Sequence, residues 1–148
     1  MILDTTTVDS NVELAADACV VGSGAGGAVA ARELAEAGRS VVMVEDGPYL
    51  RSADFVQREE LMYPRLFREG GTTATAEYTV LVSQGRVVGG STVPGFCLCV
   101  RPPRAILAYW ERNSGLSGLG YETIYPHLRK VEKQIGARRL APEQVNAN

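Results

Sequence analysis

A chain of 148 residues is long enough for one domain with a real core and too short for two ordinary ones. Its 45% hydrophobic and 22% charged residues match a soluble globular protein, which excludes wholesale disorder. A formal net charge of −2 argues against a dedicated binder of nucleic acid or anionic membrane, and no apolar run approaches the ~18 residues of a membrane span. The N-terminus, MILDTTTVDSN, has no basic region followed by an apolar stretch. No secretory signal is visible there, and a cytoplasmic location is the expectation. Three cysteines do not make a disulfide framework, and Cys97 and Cys99 have no second pair to complete a zinc site, so no metal site is expected. The only histidine is His127, which excludes most histidine-based catalysis by these residues acting alone, and no catalytic residue is assigned.

Residues 1–16 are polar and read as a lead-in arm. Ala18-Cys19-Val20-Val21 is a short apolar run ending at Gly22, the pattern of a buried parallel strand. After a glycine cluster, residues 28–37 are rich in the helix formers Ala, Leu and Glu, and Gly38 sits where a helix C-terminal glycine belongs. Residues 40–44 (SVVMV) form a second apolar run ending on Glu45, and Gly47-Pro48 breaks the chain. The unit is therefore strand, glycine turn, helix, strand. Beyond it, residues 58–67 hold helix-compatible pieces interrupted by Pro64, and Gly70-Gly71 with the following threonines reads as loop. Residues 78–82 and 86–88 are predicted as a hairpin joined through Ser83-Gln84-Gly85. Gly89-Gly90-Ser91 is a second glycine turn. Phe96, Cys97, Leu98 and Cys99 alternate as a strand would. Pro102-Pro103 is expected to open a helix through Trp110, followed by a glycine-rich loop over 113–120. A last helix over 123–135 aligns Ile124, Leu128, Val131 and Ile135 on one face.

Gly22-Ser23-Gly24-Ala25-Gly26-Gly27 matches G-x-G-x-x-G, alone a weak pattern. Context strengthens it: a strand precedes, a helix follows, and an acidic residue stands 18 positions past Gly27 at the end of the next strand. Gly22 permits the tight turn, Gly24 lets backbone approach a pyrophosphate, and Gly27 lets helix and strand pack closely. Amide groups at the helix N-terminus stabilise a diphosphate without any lysine. Glu45 can accept hydrogen bonds from ribose hydroxyls and would repel a 2′-phosphate. The competing reading, a glycine-rich turn beside an exposed glutamate, does not account for the whole unit. Adenine dinucleotide binding follows, but this motif does not separate FAD from NAD.

The stretch Gly85-Arg86-Val87-Val88-Gly89-Gly90-Ser91-Thr92 supplies that separation, because a flavoprotein needs a second backbone surface for its longer cofactor. Here the sequence resembles the glucose-methanol-choline (GMC) flavin oxidoreductases. Their Glu-x-Gly-Pro after the second strand corresponds to Glu45-Asp46-Gly47-Pro48, and their G-R-x-x-G-G-S-[ST] signature to residues 85–92, with Arg101 downstream. Tyr109-Trp110-Glu111, Gly115-Leu116-Ser117-Gly118 and Tyr121 continue the likeness, which covers most of the chain. The resemblance implies FAD lying along Gly22, Ser23, Gly24, Ala25, Gly26 and Gly27, Glu45, and Val88, Gly89, Gly90 and Ser91. Gly95 stands where the family usually has an asparagine close to the flavin, and Pro94-Gly95 reads equally well as a plain turn.

The expected fold class is α/β: an incomplete Rossmann-like FAD/NAD(P)-binding fold, with residues 17–148 as the N-terminal part of the FAD-binding domain. By resemblance, the catalytic histidine and most of the substrate cavity belong to a C-terminal half outside these residues. The implied activity is oxidation of a small-molecule alcohol to an aldehyde or ketone, with hydride passing to flavin N5 and no nucleic-acid partner. Long-chain alcohol oxidases and choline dehydrogenase-like members are the nearer subgroups. The alternatives are a stand-alone, non-catalytic FAD or dinucleotide module, an inactive fragment, and, more remotely, a simple NAD dehydrogenase. His127, on the last helix, reads as a packing or surface residue. Cys19 reads as a small core residue, and Arg58, Arg65 and Arg68 among Glu59, Glu60 and Glu69 as a solvated face.

Overall fold

The computed structural model describes residues 1–4 and 6–145. The chain divides into two compact units, Met1–Phe96 and Cys97–Asn148.

The first unit begins with β1 (Ala18–Val21), α1 (Ala25–Glu36) and β2 (Val41–Val44). β1 and β2 pair in parallel, with Ala18 opposite Val41 and Val21 opposite Val44. Asp17 and Ser40 close the lower end of this pair: the Asp17 amide donates to Ser40 Oγ at 2.9 Å, and Ser40 Oγ–H donates to Asp17 Oδ2 at 2.7 Å. Donation from the Ser40 hydroxyl, and from the Ser40 amide at 2.8 Å, holds the Asp17 carboxyl below its ordinary value. At the upper end the Gly22 amide bonds the Val44 carbonyl at 2.7 Å. α1 packs on both strands. It ends as the glycine at 38 demands, with the Arg39 amide on Leu34 O and the Gly38 amide on Ala35 O, the paired bonds of a Schellman motif.

β1 is less buried than its composition predicts. Cys19 and Val21 are exposed, Val21 at 85%. The cause is geometric: a two-stranded sheet with one covering helix shields only one face. The Cys19 side chain is accordingly on the surface rather than in the core.

The rest of this unit is built around α2 (Glu59–Leu66), which runs through Pro64 despite the lost amide donor. Met62, Leu66 and Val87 form its buried cluster, with Leu50, Phe67 and Val93 packed against it. The expected hairpin over 78–88 does not form. Instead the Val82 amide donates to Thr73 O and the Thr75 amide to Val80 O, while Arg86 N bonds Leu66 O and Arg68 N bonds Gln84 O. Each half of the anticipated hairpin thus finds a different partner, and their backbone groups are satisfied elsewhere.

In the second unit, α3 (Arg104–Asn113) and α4 (Tyr121–Gln134) pack together, with Leu107 buried at 1% exposure. Pro103 is the N-cap of α3, its carbonyl accepting from Ile106 and Leu107. α4 starts at Tyr121 behind Gly120 and contains Pro126. No strand forms over 96–100. Phe96, Leu98 and Val100 are 92%, 79% and 84% exposed, and Cys97 has φ +57°, outside the strand region. An alternating pattern is not enough without a neighbouring edge to pair with. No helix among the described residues is long and apolar enough to cross a membrane.

Candidate functional site

The site lies in the first unit, where both glycine turns come together. Gly22 leads from β1 into Ser23 and Gly24, and Gly24 is the N-cap of α1. No side chain caps this helix and no acidic residue lies in its first turn. Ala25 and Gly26 are exposed. The first amides of α1 therefore face outward at the positive end of the helix dipole, an arrangement that favours an anion. Gly27 is where helix and strand touch. A Cβ there would stand 1.9 Å from the Gly22 carbonyl oxygen, so only glycine fits.

The second turn is a short 3-10 segment, Gly90–Thr92, set against the first. A Cβ on Gly90 would lie 2.8 Å from Gly24 Cα, and Gly90 also has φ +59°. Ser91 Oγ accepts the Gly85 amide at 2.9 Å, and Thr92 Oγ1 donates to Gly89 O at 2.5 Å. The Val88 amide bonds the Pro48 carbonyl at 3.0 Å. Val87, 1% exposed, anchors the turn in the α2 cluster.

Ser23 joins the two turns. It is 5% exposed, and its Oγ–H donates to Glu45 Oε2 at 2.6 Å while the oxygen accepts the Gly89 amide at 2.9 Å. The Ser23 amide donates to the same carboxylate oxygen, and the Gly47 amide donates to Glu45 Oε1, both at 2.9 Å. Burial pushes the Glu45 carboxyl up, but the donors from Ser23 and Gly47 outweigh it and leave the group below its ordinary value. An ionised Glu45 held this way keeps acceptor capacity for a further donor, such as a sugar hydroxyl.

Next to Glu45, Asp46 Oδ2 accepts Arg86 Nε and Arg68 Nη2, each at 3.0 Å. The Arg86 bond is the main cause of Asp46's lowered carboxyl, aided by Arg68 against partial desolvation. This pin between the end of β2 and the signature stretch escapes a reading of the sequence. Arg68 reads there as part of a solvated face, a description that suits Arg58, paired with Glu60, and the exposed Arg65. The available signal was Arg86 itself, a fixed part of the second motif.

Gly95 is exposed, and a Cβ there would stand 3.2 Å from the Ser91 carbonyl. It borders a largely apolar groove of about 530 Å³ whose walls include Phe55, Met62, Tyr63, Phe67 and Ser91. His127 is exposed on α4 in the second unit.

Residues 63–148 match the family profile described as GMC oxidoreductase, and residues 17–56 match that of an FAD binding domain. The chain belongs to the GMC oxidoreductase family. It is 32% identical over 128 residues to a long-chain-alcohol oxidase of Arabidopsis thaliana, covering 86% of this chain and 17% of that protein. It is 41% identical over 138 residues to an uncharacterised GMC-type oxidoreductase of Mycobacterium tuberculosis, covering 92% and 22%. Similarity to choline oxidase of Arthrobacter globiformis is 30% over 138 residues, covering 85% and 24%. This GMC chain thus spans about a fifth of the length of the relatives it matches.

The family's cofactor is FAD, and the residues present fit it. Uncapped amides of α1 suit a diphosphate, and Gly26, where a Cβ would meet nothing within 4 Å, leaves the first turn of the helix open to close approach. The two-stranded parallel sheet with its connecting helix agrees with an α/β FAD-binding fold.

Proposed function

We propose that residues 17–148 are the N-terminal part of a Rossmann-like FAD-binding domain, preceded by an arm over 1–16, in an enzyme that oxidises an alcohol CH–OH group to an aldehyde or ketone. The observation that carries this reading is the union of the two glycine turns through Ser23, with Gly24 against Gly90. One turn alone serves a nucleotide. Two joined turns provide a continuous backbone surface, which suits a longer flavin dinucleotide.

In this reading Gly22, Ser23, Gly24, Ala25, Gly26 and Gly27 line the diphosphate. Amides of the first turn of α1 stabilise its charge without a cation. Glu45 accepts from the ribose hydroxyls, and its anionic charge rejects a 2′-phosphate. Val88, Gly89, Gly90 and Ser91 support the cofactor beyond the diphosphate, with Gly95 near its flavin end. Bound FAD supplies a hydride acceptor at N5. The chain's own part is to bind and orient, and the base that takes the hydroxyl proton comes from outside these residues. The names of the alcohol oxidase relatives support the substrate class at the family level.

The test is anaerobic addition of primary alcohols of increasing chain length, and of choline, to the purified native flavoprotein. Bleaching of the flavin's visible absorbance by an alcohol is the expected result. Bound flavin that no alcohol reduces would leave a non-catalytic dinucleotide module.

A further inference from the structure

We propose that the Ser23 hydroxyl is a positioning group tying the Glu45 carboxylate to the second glycine turn, so that adenosine binding at Glu45 and ordering of residues 85–92 are coupled. The proposal rests on the FAD reading above and adds a role that the glycine motif does not specify, since Ser23 occupies one of its variable positions.

The geometry leaves Ser23 no other task. A hydroxyl has one proton, and here it goes to Glu45 Oε2 at 2.6 Å. Its oxygen receives the amide of Gly89, 66 residues away in sequence. At 5% exposure the side chain is turned into the protein, not toward a ligand. The Ser23 and Gly47 amides complete the grip on Glu45 and fix the direction of its remaining acceptor sites. A ligand that draws on those sites pulls on a carboxylate whose other bonds end at Ser23 and Gly47, and Ser23 in turn holds Gly89. The charged neighbours acting on Glu45 are Asp46 and, through it, Arg86 and Arg68. Arg86 lies within the 85–92 segment and the Arg68 amide bonds the Gln84 carbonyl next to it, so the charge set belongs to the same joint.

The experiment is amide hydrogen exchange on the full native protein, freed of flavin, with ADP as the probe. ADP carries the adenosine and diphosphate but no flavin, so protection at 85–92 reports coupling rather than direct flavin contact. In the wild type, ADP is expected to slow exchange in both 25–36 and 85–92. Ser23→Ala should keep the first effect, lose the second and weaken ADP binding about tenfold, the scale of a lost hydrogen bond to a charged group. Ser23→Thr, which retains the hydroxyl, should restore the coupling. Affinity for ADP should also fall with acid as Glu45 protonates, and in Ser23→Ala that fall should begin at higher pH because one stabilising donor is gone. Glu45→Gln keeps an acceptor for Ser23, so it should retain the coupling and lose the pH dependence. Should Ser23→Ala not fold, the wild type and Glu45→Gln still decide. Wild-type protection confined to 25–36, or an unchanged ADP response in folded Ser23→Ala, overturns the coupling and leaves FAD binding standing. Failure of the wild type to bind either ADP or FAD overturns both.

Discussion

Gly24 and Gly90 meet backbone to backbone: a Cβ built on Gly90 would come within 2.8 Å of Gly24 Cα. Neither atom is the end of a flexible side chain, so the contact cannot relax by a rotamer change. Gly90 also has φ +59°, which disfavours any L-residue with a Cβ. Gly90→Ala should therefore cost about 3 kcal/mol and release FAD, as read by thermal unfolding and by flavin content after gel filtration. Gly26 is the control. A methyl there meets nothing within 4 Å and sits in the first turn of α1. Gly26→Ala should leave apo stability unchanged or raise it by at most ~1 kcal/mol, while still weakening FAD where the diphosphate approaches.

Leu107 is the one apolar side chain in the second unit with exposure as low as 1% among the described residues. Its removal leaves a hole between α3 and the structure packed on it. Leu107→Ala should cost about 2–3 kcal/mol, the lower part of the usual range, because thinly covered neighbours can close inward. Amide exchange across α3 and α4 is the measurement. Faster exchange should appear there, and unchanged protection in both helices would show that Leu107 holds nothing together.

Local signals in the sequence are the ones the fold honours. Apolar runs, Gly38 and the helix formers between them correctly mark β1, α1 and β2, because a turn and a helix cap depend on residues a few places apart. The misreadings arise where the partner is distant. Residues 80–82 pair with 73–75, and 84–86 with 66–68, so the turn chemistry at 83–85 does not decide their fate. Alternation at 96–99 predicts a strand, but the segment pairs with no edge and Cys97 turns left-handed. The residues of the candidate site, by contrast, stand in motifs whose two turns the structure brings together. What the motifs do not disclose is the bonding: Ser23 spends its proton on Glu45, and Arg68, though partly exposed, is paired with Asp46.

Thr73 carries a buried hydroxyl oxygen, Oγ1, with no hydrogen-bond partner among the described residues. Its carbonyl is occupied, accepting the Val82 amide at 2.8 Å, so the backbone role does not depend on the side chain. Valine has nearly the same shape and no polar atom to desolvate. Thr73→Val should stabilise the protein by about 1 kcal/mol in chemical denaturation, and Thr73→Ser, which keeps the hydroxyl and loses the methyl, should destabilise it. A loss of stability in Thr73→Val would show that the hydroxyl is satisfied in solution.

Arg101 grips Glu132 with two parallel bonds, Nε to Oε1 at 2.5 Å and Nη2 to Oε2 at 2.6 Å, and its guanidinium lies 5.0 Å from the Tyr125 ring centre. The bonded arginine is the main reason the Glu132 carboxyl is held below its ordinary value of 4.5, with Arg129 adding to the effect. A carboxyl depressed in the folded state adds stability above its unfolded pKa and loses that contribution as pH falls through the lower folded value. The wild type should therefore exceed Glu132→Gln in melting temperature near neutral pH, and the gap should close as the pH drops below about 4. Side-chain exposures of 43% for Arg101 and 27% for Glu132 mean that added salt should narrow the same gap. Arg101→Lys keeps the charge but not the two-pronged geometry, so it should lose most of the advantage at every pH. Equal melting curves for wild type and Glu132→Gln across that pH range would show that the pair contributes nothing to stability.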